Sequence, residues 1–585
     1  MKFIKQILAV IIGIFIAFFL LFLVLGILGS VIGGKEKVDI KENTVLVLDM
    51  SGELPDYKPS SSNPFEQLID EEMPRISFTK LLNAIENAKK DKKIAGISLE
   101  FPTLNLGIAQ AQELRDKLSD FKSSGKFITA FSDFYSQKNY YISSVADSVY
   151  IQKEGHIDFR GLASEKLYFK DFQDRTGIRM EVIRHGKYKS AMEGFLANEM
   201  SDANREQTVS LLHSIWEEML DDIAASRHTD TGELNRIVDT HAPATPQEAV
   251  SLRLIDKSLY YDQYLDILSR LSQNQDNKKP RTVSIQKYLK AGKGRIHSAG
   301  AKDKIAIVYA QGDIRYGKGD ETYIGNESII EALKKLRKNK GVKAIVLRIN
   351  SPGGSALASE LIWREIELTK KEKPVVVSMG NLAASGGYYI ACNADKIIAE
   401  PTTITGSIGV FGALPNVSEF AARHGINAEQ VYTNTSPHYS MFEPLDSSFH
   451  DFTAKTVEQV YHTFVSHVAE GRNMSFDQVD KIAQGRVWTG KEALENGLVD
   501  RLGSLDTAVG EAASLAGIDK FKLRSYPRYK KDFKDMFSKF PFGKTESQWL
   551  REQLGDEYYR MYRELKDLHS LQGIQARLPY VLNIR

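Results

Sequence analysis

One cysteine, Cys392, stands in 585 residues, so no disulfide can close within the chain and most cysteine metal sites are excluded. It falls in an apolar stretch and reads as a small buried core residue. There is no His-Glu-x-x-His, and His462 and His467 sit five apart, off one helical face; the sequence asks for no metal and no cofactor. Neither sign of charge dominates. The formal net charge of +2 gives no argument for nucleic acid, and no RNA- or DNA-binding signature is present. Charge is absent altogether from positions 7–32, which are dense in Ile, Leu, Phe and Val. That run is long enough to span a bilayer and much longer than the apolar region of a cleaved signal peptide. Lys2 and Lys5 precede it, while Lys35, Glu36, Lys37 and Asp39 balance on its far side. The expectation is a retained anchor, with the N-terminus in the cytoplasm and everything after about residue 33 outside.

At 585 residues the chain is too long for one ordinary core. Apolar runs such as Val45–Leu48 and Ile94–Leu99 read as strands, and Phe78–Lys90 has helical spacing, so alternating elements predict an α/β fold. The same order then returns. Val45–Gly52 corresponds to Ile305–Gly312, Ile94–Leu99 to Val342–Leu347, and Tyr140-Tyr-Ile142 to Tyr388-Tyr-Ile390. Gly177-Ile178 matches Gly425-Ile426, and Thr245–Ala249 with Leu254–Asp256 matches Thr489–Ala493 with Leu498–Asp500. Colinearity over some two hundred residues means two copies of one domain. The expected divisions are an anchor at 1–40, a first repeat at 41–270, a linker or exposed arm at 271–304, and a second repeat at 305–519. A charged, aromatic tail follows at 520–585, with a long helical pattern at Glu546–Leu571.

Ser385 draws the eye because the apolar run from Val375 passes through Met379-Gly380-Asn381, read as a turn, into Ala383-Ala384-Ser385-Gly386-Gly387 and then a helical pattern. A nucleophile needs such a perch between strand and helix, among small residues. Nearby, Ile345–Asn350 runs into Ser351-Pro352-Gly353-Gly354 ahead of a helix with Leu357, Leu361 and Ile362. Adjacent glycines let backbone N–H groups approach a ligand closely, as an oxyanion hole requires. The first repeat has Gln137 where the second has Ser385, and Thr103-Leu104 where the second has glycines. Only the second half is built to react.

Ser385 needs a base. The first downstream histidines are His424, in a helix-end position that reads as structural, and His438. The counterpart of the His438 segment is Gly186-Lys-Tyr-Lys-Ser190, with Lys189 where the second half has Tyr439. A lysine serves as a base if burial lowers its pKa. One repeat thus keeps the serine and the other the lysine; the alternative is that Lys189 and its neighbour Lys187 are two ordinary solvated lysines. Ser407, in Thr405-Gly406-Ser407, reads as a shaping turn near the groove, well behind Ser385.

These residues, with Thr405–Gly412 and Tyr188-Lys189-Ser190, resemble the signal peptide peptidase A (protease IV) family, peptidase family S49, in its long, duplicated form. The resemblance covers nearly the whole chain. It implies a crotonase- or Clp-protease-like fold repeated twice and a Ser/Lys-dyad endopeptidase that degrades released signal peptides. Carried over, Ser385 is the nucleophile, Lys189 the general base and acid, and the N–H groups of Gly354 and Gly386 the oxyanion hole. It also implies a homotetramer on the outer face of a bacterial cytoplasmic membrane. The rival readings are an acyl-CoA enzyme on the crotonase fold and a non-catalytic membrane scaffold.

Overall fold

The computed structural model describes residues 38–59, 76–274, 279–296, 300–529 and 573–577, except positions 103, 241, 242, 244, 435 and 437, with five single positions before 38. Apart from Gly13, Ile16, Ala17 and Leu20, the expected anchor at 7–32 lies outside the described residues, as do the helical pattern at Glu546–Leu571 and Thr103. No helix among the described residues is long and apolar enough to cross a membrane.

Apolar strands with both faces covered favour parallel sheets, and two such sheets form the body. From edge to edge the first runs Lys257–Ser258, Ser148–Ile157, Phe127–Tyr135, Ile94–Leu99, Thr44–Leu48 and Thr282–Ser284, all parallel. The second has eight strands: a six-strand path runs Arg501–Leu502, Lys396–Ala399, Val375–Ala384, Val342–Ser351, Asp303–Gln311 and Phe521–Tyr526, again all parallel, while Ile404–Gly406 branches from Val375–Ala384 and pairs antiparallel with Val487–Thr489. Strand for strand the order is the same, so the duplication read in the sequence is one sheet built twice. Its supports recur as well. Tyr140 donates to the Leu254 carbonyl at 2.9 Å and Tyr388 to the Leu498 carbonyl at 2.8 Å. Val149 and Ile397 each donate a backbone N–H to a carboxylate, Asp256 and Asp500, at 2.7 Å. The helices Asp202–Arg227 and Ser447–Arg472 both run 26 residues and end on a left-handed residue, His228 and Asn473.

Three local readings need correcting. The stretch 271–304 is partly an edge of the first sheet rather than an exposed arm: Thr282–Ser284 pairs with Thr44–Leu48, and Val283, Ile285 and Tyr288 are buried. Three apolar side chains suffice there, too few to stand out among lysines and glutamines. Likewise Phe521–Tyr526 belongs to the second sheet, just inside the segment taken as tail. Met379-Gly380-Asn381 is no turn, because Val375–Ala384 continues as one strand past a register shift in its pairing with Val342–Ser351. The helix Ala356–Lys370 forms as expected; its buried apolar side chains are Ala356, Ala358, Ile362, Trp363 and Ile366, while Leu357 and Leu361 are exposed.

A smaller third sheet joins the halves. Its order is Ile324–Gly325, Ile314–Arg315, Gly353–Ser355, Gly573–Arg577, Val410–Asn416 and Arg179–His185. The last pair is antiparallel, with His185 opposite Val410, and it carries the end of a first-repeat strand into the second repeat. Deeper in the interface, Arg348 reaches Glu113 at 2.7 Å and Asp56 at 3.2 Å, all three buried. Such a cluster is stable only when every member is paired.

Candidate active site

Ser385 stands where Val375–Ala384 ends and the short helix Gly386–Tyr389 begins. Its φ of 55° and ψ of −115° put a non-glycine residue in a rarely populated region. That strain costs on the order of 1–3 kcal/mol. The surroundings enforce it: Ser385 N–H donates to the Gly406 carbonyl and Tyr389 N–H to the Ser385 carbonyl, both at 2.8 Å.

Lys189 arrives from the other repeat. Beyond His185 the chain turns at Gly186 (φ 109°), and Tyr188 N–H donates to the Gln484 carbonyl at 2.8 Å. A methyl group on Gly186 would lie 2.5 Å from that carbonyl oxygen, so the close approach needs glycine. Arg486 stacks over the Tyr188 ring and binds Glu206 at 2.7 Å, pinning the turn from outside. The result is a wholly buried lysine whose Nζ lies 2.9 Å from Ser385 Oγ. It also donates to Ser407 Oγ at 3.0 Å and to the Ser407 carbonyl at 3.2 Å. Burial alone, with no carboxylate to offset it, pushes the Lys189 ammonium well below the usual lysine range. A neutral amine has two N–H donors and one lone pair. An amine that keeps both donors on Ser407 has only its lone pair left for the Ser385 hydroxyl.

Gly353 (φ 98°) and Gly354 (φ 155°) adopt backbone angles that favour glycine. A methyl on Gly353 would lie 2.7 Å from Gly386 N, and one on Gly386 would lie 3.1 Å from Gly354 N. The backbones of Gly353, Gly354 and Gly386 therefore lie close together, next in the chain to Ser385. His424 and His438 are exposed, on the Phe420 and Ser436 carbonyls, and take no part. Cys392 is buried as expected, its thiol pushed up to about 12 mainly by desolvation. Lys187 is exposed.

The equivalent position in the first repeat is plugged. Gln137 accepts from the N–H groups of Arg160 and Gly161 at 3.0 and 2.8 Å and donates to the Gly161 carbonyl at 2.8 Å. Sequence reasoning placed Ser407 as a shaping turn but missed its grip on Lys189. It also missed the Gln484-Gly485 turn and the strand Gly573–Arg577. The Gln-Gly dipeptide between apolar runs was a readable turn signal; nothing local ties it to Lys189.

A buried serine beside a buried lysine, on a strained strand-to-helix turn, is an arrangement suited to a serine nucleophile. Comparison with known proteins narrows the class. The model for peptidase family S49 matches residues 120–276 and 367–519, and that for Clp protease matches 298–404. Protease 4 of Haemophilus influenzae is 35% identical over 503 residues, 83% of this chain and 81% of its own. Protease 4 of Salmonella typhi is 35% identical over 501 residues, covering 82% and 80%. A chloroplastic serine protease SPPA of Arabidopsis thaliana is 32% identical over 560 residues, covering 93% and 78%. The chain belongs to peptidase family S49 and is a serine protease.

Proposed function

We propose that this chain is a membrane-anchored endopeptidase that works through a dyad of Ser385 and Lys189. The single observation that carries this reading is the 2.9 Å approach of a buried, uncompensated lysine amine to the serine hydroxyl. Neutral Lys189 takes the Ser385 proton as Oγ attacks a peptide carbonyl. The N–H groups of Gly354 and Gly386 stabilise the oxyanion. Lys189 then gives the proton to the departing amine, and water, activated by the same amine, hydrolyses the acyl-enzyme. Ser407 holds the amine on line.

Released signal peptides and other membrane-associated peptides are the proposed substrates, with residues 1–40 as the anchor and a homotetramer on the outer face of a bacterial cytoplasmic membrane as the working form. The charge-free run at 7–32 supports the anchor.

The test is cleavage of a fluorogenic Ala- or Leu-rich peptide by the fragment from about residue 40 onward. Ser385→Ala and Lys189→Ala should each lose about a thousand-fold or more in kcat/KM while keeping the wild-type melting curve. Because the two groups meet within one chain, mixing the variants should restore nothing. Full activity in Lys189→Ala would sink the dyad.

A further inference from the structure

The helix Asp202–Arg227 of the first repeat buries an amide that the mechanism above does not use. Gln207 is 1% exposed, and a buried polar side chain needs partners for its donors and its acceptor. Its Nε2 donates to the Tyr188 carbonyl and to Ser190 Oγ, both at 3.1 Å, and so holds the residues on either side of Lys189. Asn204 Oδ1, one turn back on the same helix, accepts from it at 3.1 Å. Its Oε1 accepts the N–H of Val487, in the second repeat, at 3.3 Å. A carbonyl only accepts and a backbone N–H only donates, so these two partners fix which way the amide points.

Val487 leads to the nucleophile. It stands opposite Gly406 in the antiparallel pair of Ile404–Gly406 with Val487–Thr489. The Gly406 carbonyl accepts the Ser385 N–H at 2.8 Å. The next residue, Ser407, donates its N–H to the Arg486 carbonyl at 2.6 Å and accepts from Lys189 through its hydroxyl. A path of bonds thus runs from the lysine turn through Gln207 to Val487, Gly406 and Ser385. Two other side chains grip the turn from its own repeat: Arg184 Nη1 donates to the Lys189 carbonyl at 3.0 Å, and Lys166 Nζ to the Ser190 carbonyl at 2.9 Å. Of these three side chains, Gln207 is the one that joins the turn to the other repeat. The duplication agrees. The helix Ser447–Arg472, also 26 residues long, has an exposed phenylalanine, Phe452, at the position of Gln207. The repeat without the lysine also lacks the amide that holds it.

We propose that Gln207 is a positioning residue for the base, holding the lysine turn of one repeat in register with the strand of the other that supports the nucleophile. The proposal rests on the dyad reading above. Proton transfer needs Nζ and Oγ within hydrogen-bond reach, and a displacement of about an ångström costs on the order of a hundred-fold in rate. A lysine stem is flexible, so its aim is set where its backbone is held and where Ser407 receives the amine. Without the amide the turn keeps Arg184 and Lys166 but loses its tie to Val487, and Nζ drifts from Oγ. Gln207 itself touches no reacting atom; it acts through Lys189.

The experiment is steady-state cleavage of the fluorogenic peptide by the purified full chain, each variant assayed well below its own melting temperature. Gln207→Met removes donors and acceptor at similar size. Gln207→Glu keeps an oxygen for Val487 and removes the amide donors, so it tests the same role with less disturbance of the fold. Both should lower kcat roughly thirty-fold with KM within about two-fold of wild type. The split is expected because the bonds of Gln207 go to the lysine turn, its own helix and Val487, not to the glycine strand Gly353–Ser355. Added to Lys189→Ala, which already lacks the amine, Gln207→Met should cost less than about two-fold of the residual activity. Wild-type kcat in either variant, a KM that rises in step with the loss, or an equal loss in the Lys189→Ala chain would each overturn the positioning role and leave the dyad standing. Full activity in Lys189→Ala would instead remove the dyad, and this role with it.

Discussion

Lys189 shows how much one residue's surroundings decide. Its folded pKa is depressed, so its contribution to stability is fully present above the usual lysine pKa of about 10.4 and is lost as the pH falls toward the folded value. Below the ordinary lysine pKa the fold bears the cost of disfavouring the charged amine. Lys189→Met removes the titrating group and keeps the apolar stem. It should melt higher than wild type at pH 7, by roughly 2–4 °C for each kcal/mol regained. The gap should widen as the pH falls and close as it approaches 10, with proteolysis abolished throughout. As the proposed base, Lys189 should support activity below the ordinary lysine range and lose it as the pH falls through the folded value, where the amine charges. Equal melting temperatures across that pH range would mean that Lys189 is not held neutral.

At the scale of elements, the base depends on a turn that touches no substrate. Gly485 (φ 81°) lies so close to Lys189 that a methyl there would come 2.6 Å from Lys189 Cβ and 2.7 Å from its Cα. Its N–H also donates to the Ile408 carbonyl at 2.8 Å, tying the lysine turn to the Ser407 turn. Gly485→Ala should displace the amine by a fraction of an ångström to an ångström and lower kcat by about a hundred-fold. KM should move far less, because the glycine strand and Val410–Asn416 are untouched. A matching rise in KM would instead place Gly485 in the groove. This dependence was invisible in the sequence, where Gly485 and Lys189 stand almost three hundred positions apart.

Across the whole molecule, the two repeats are locked by buried charge as well as by apolar packing. Glu400 is buried beside the Arg348 cluster, and one of its carboxyl oxygens has no hydrogen-bond partner. Desolvation first, then the nearby Glu113 and Asp116, raise its pKa well above the usual range. A raised carboxyl favours the fold while protonated: that stability is fully present below about pH 4.3 and is lost as the pH climbs through the folded value. Glu400→Gln mimics the protonated form. Its advantage in melting temperature over wild type should be absent at pH 4 and grow toward pH 8, as calorimetry can measure. A constant difference would mean that Glu400 does not titrate with folding.

The sequence by itself determined a good deal here. Strands at Thr44–Leu48 and Ile94–Leu99 and the helix Phe78–Lys90 fall where their apolar spacing put them. The duplicated order, Ser385 at the end of a strand, and the exchange of serine and lysine between repeats were all legible, because each is a local pattern or a comparison of one half with the other. Side-chain facing in Ala356–Lys370 was less so, since that helix is covered on more than one side and apolar residues no longer mark a single face. What only the tertiary structure decided is contact across distance. The pairing of Val410–Asn416 with Arg179–His185 brings Lys189 onto Ser385, the Gln484–Arg486 turn packs against it, and Gly573–Arg577 pairs between Gly353–Ser355 and Val410–Asn416. Strand pairing joins backbones whatever their side chains, so a partner hundreds of residues away leaves no mark on the local pattern.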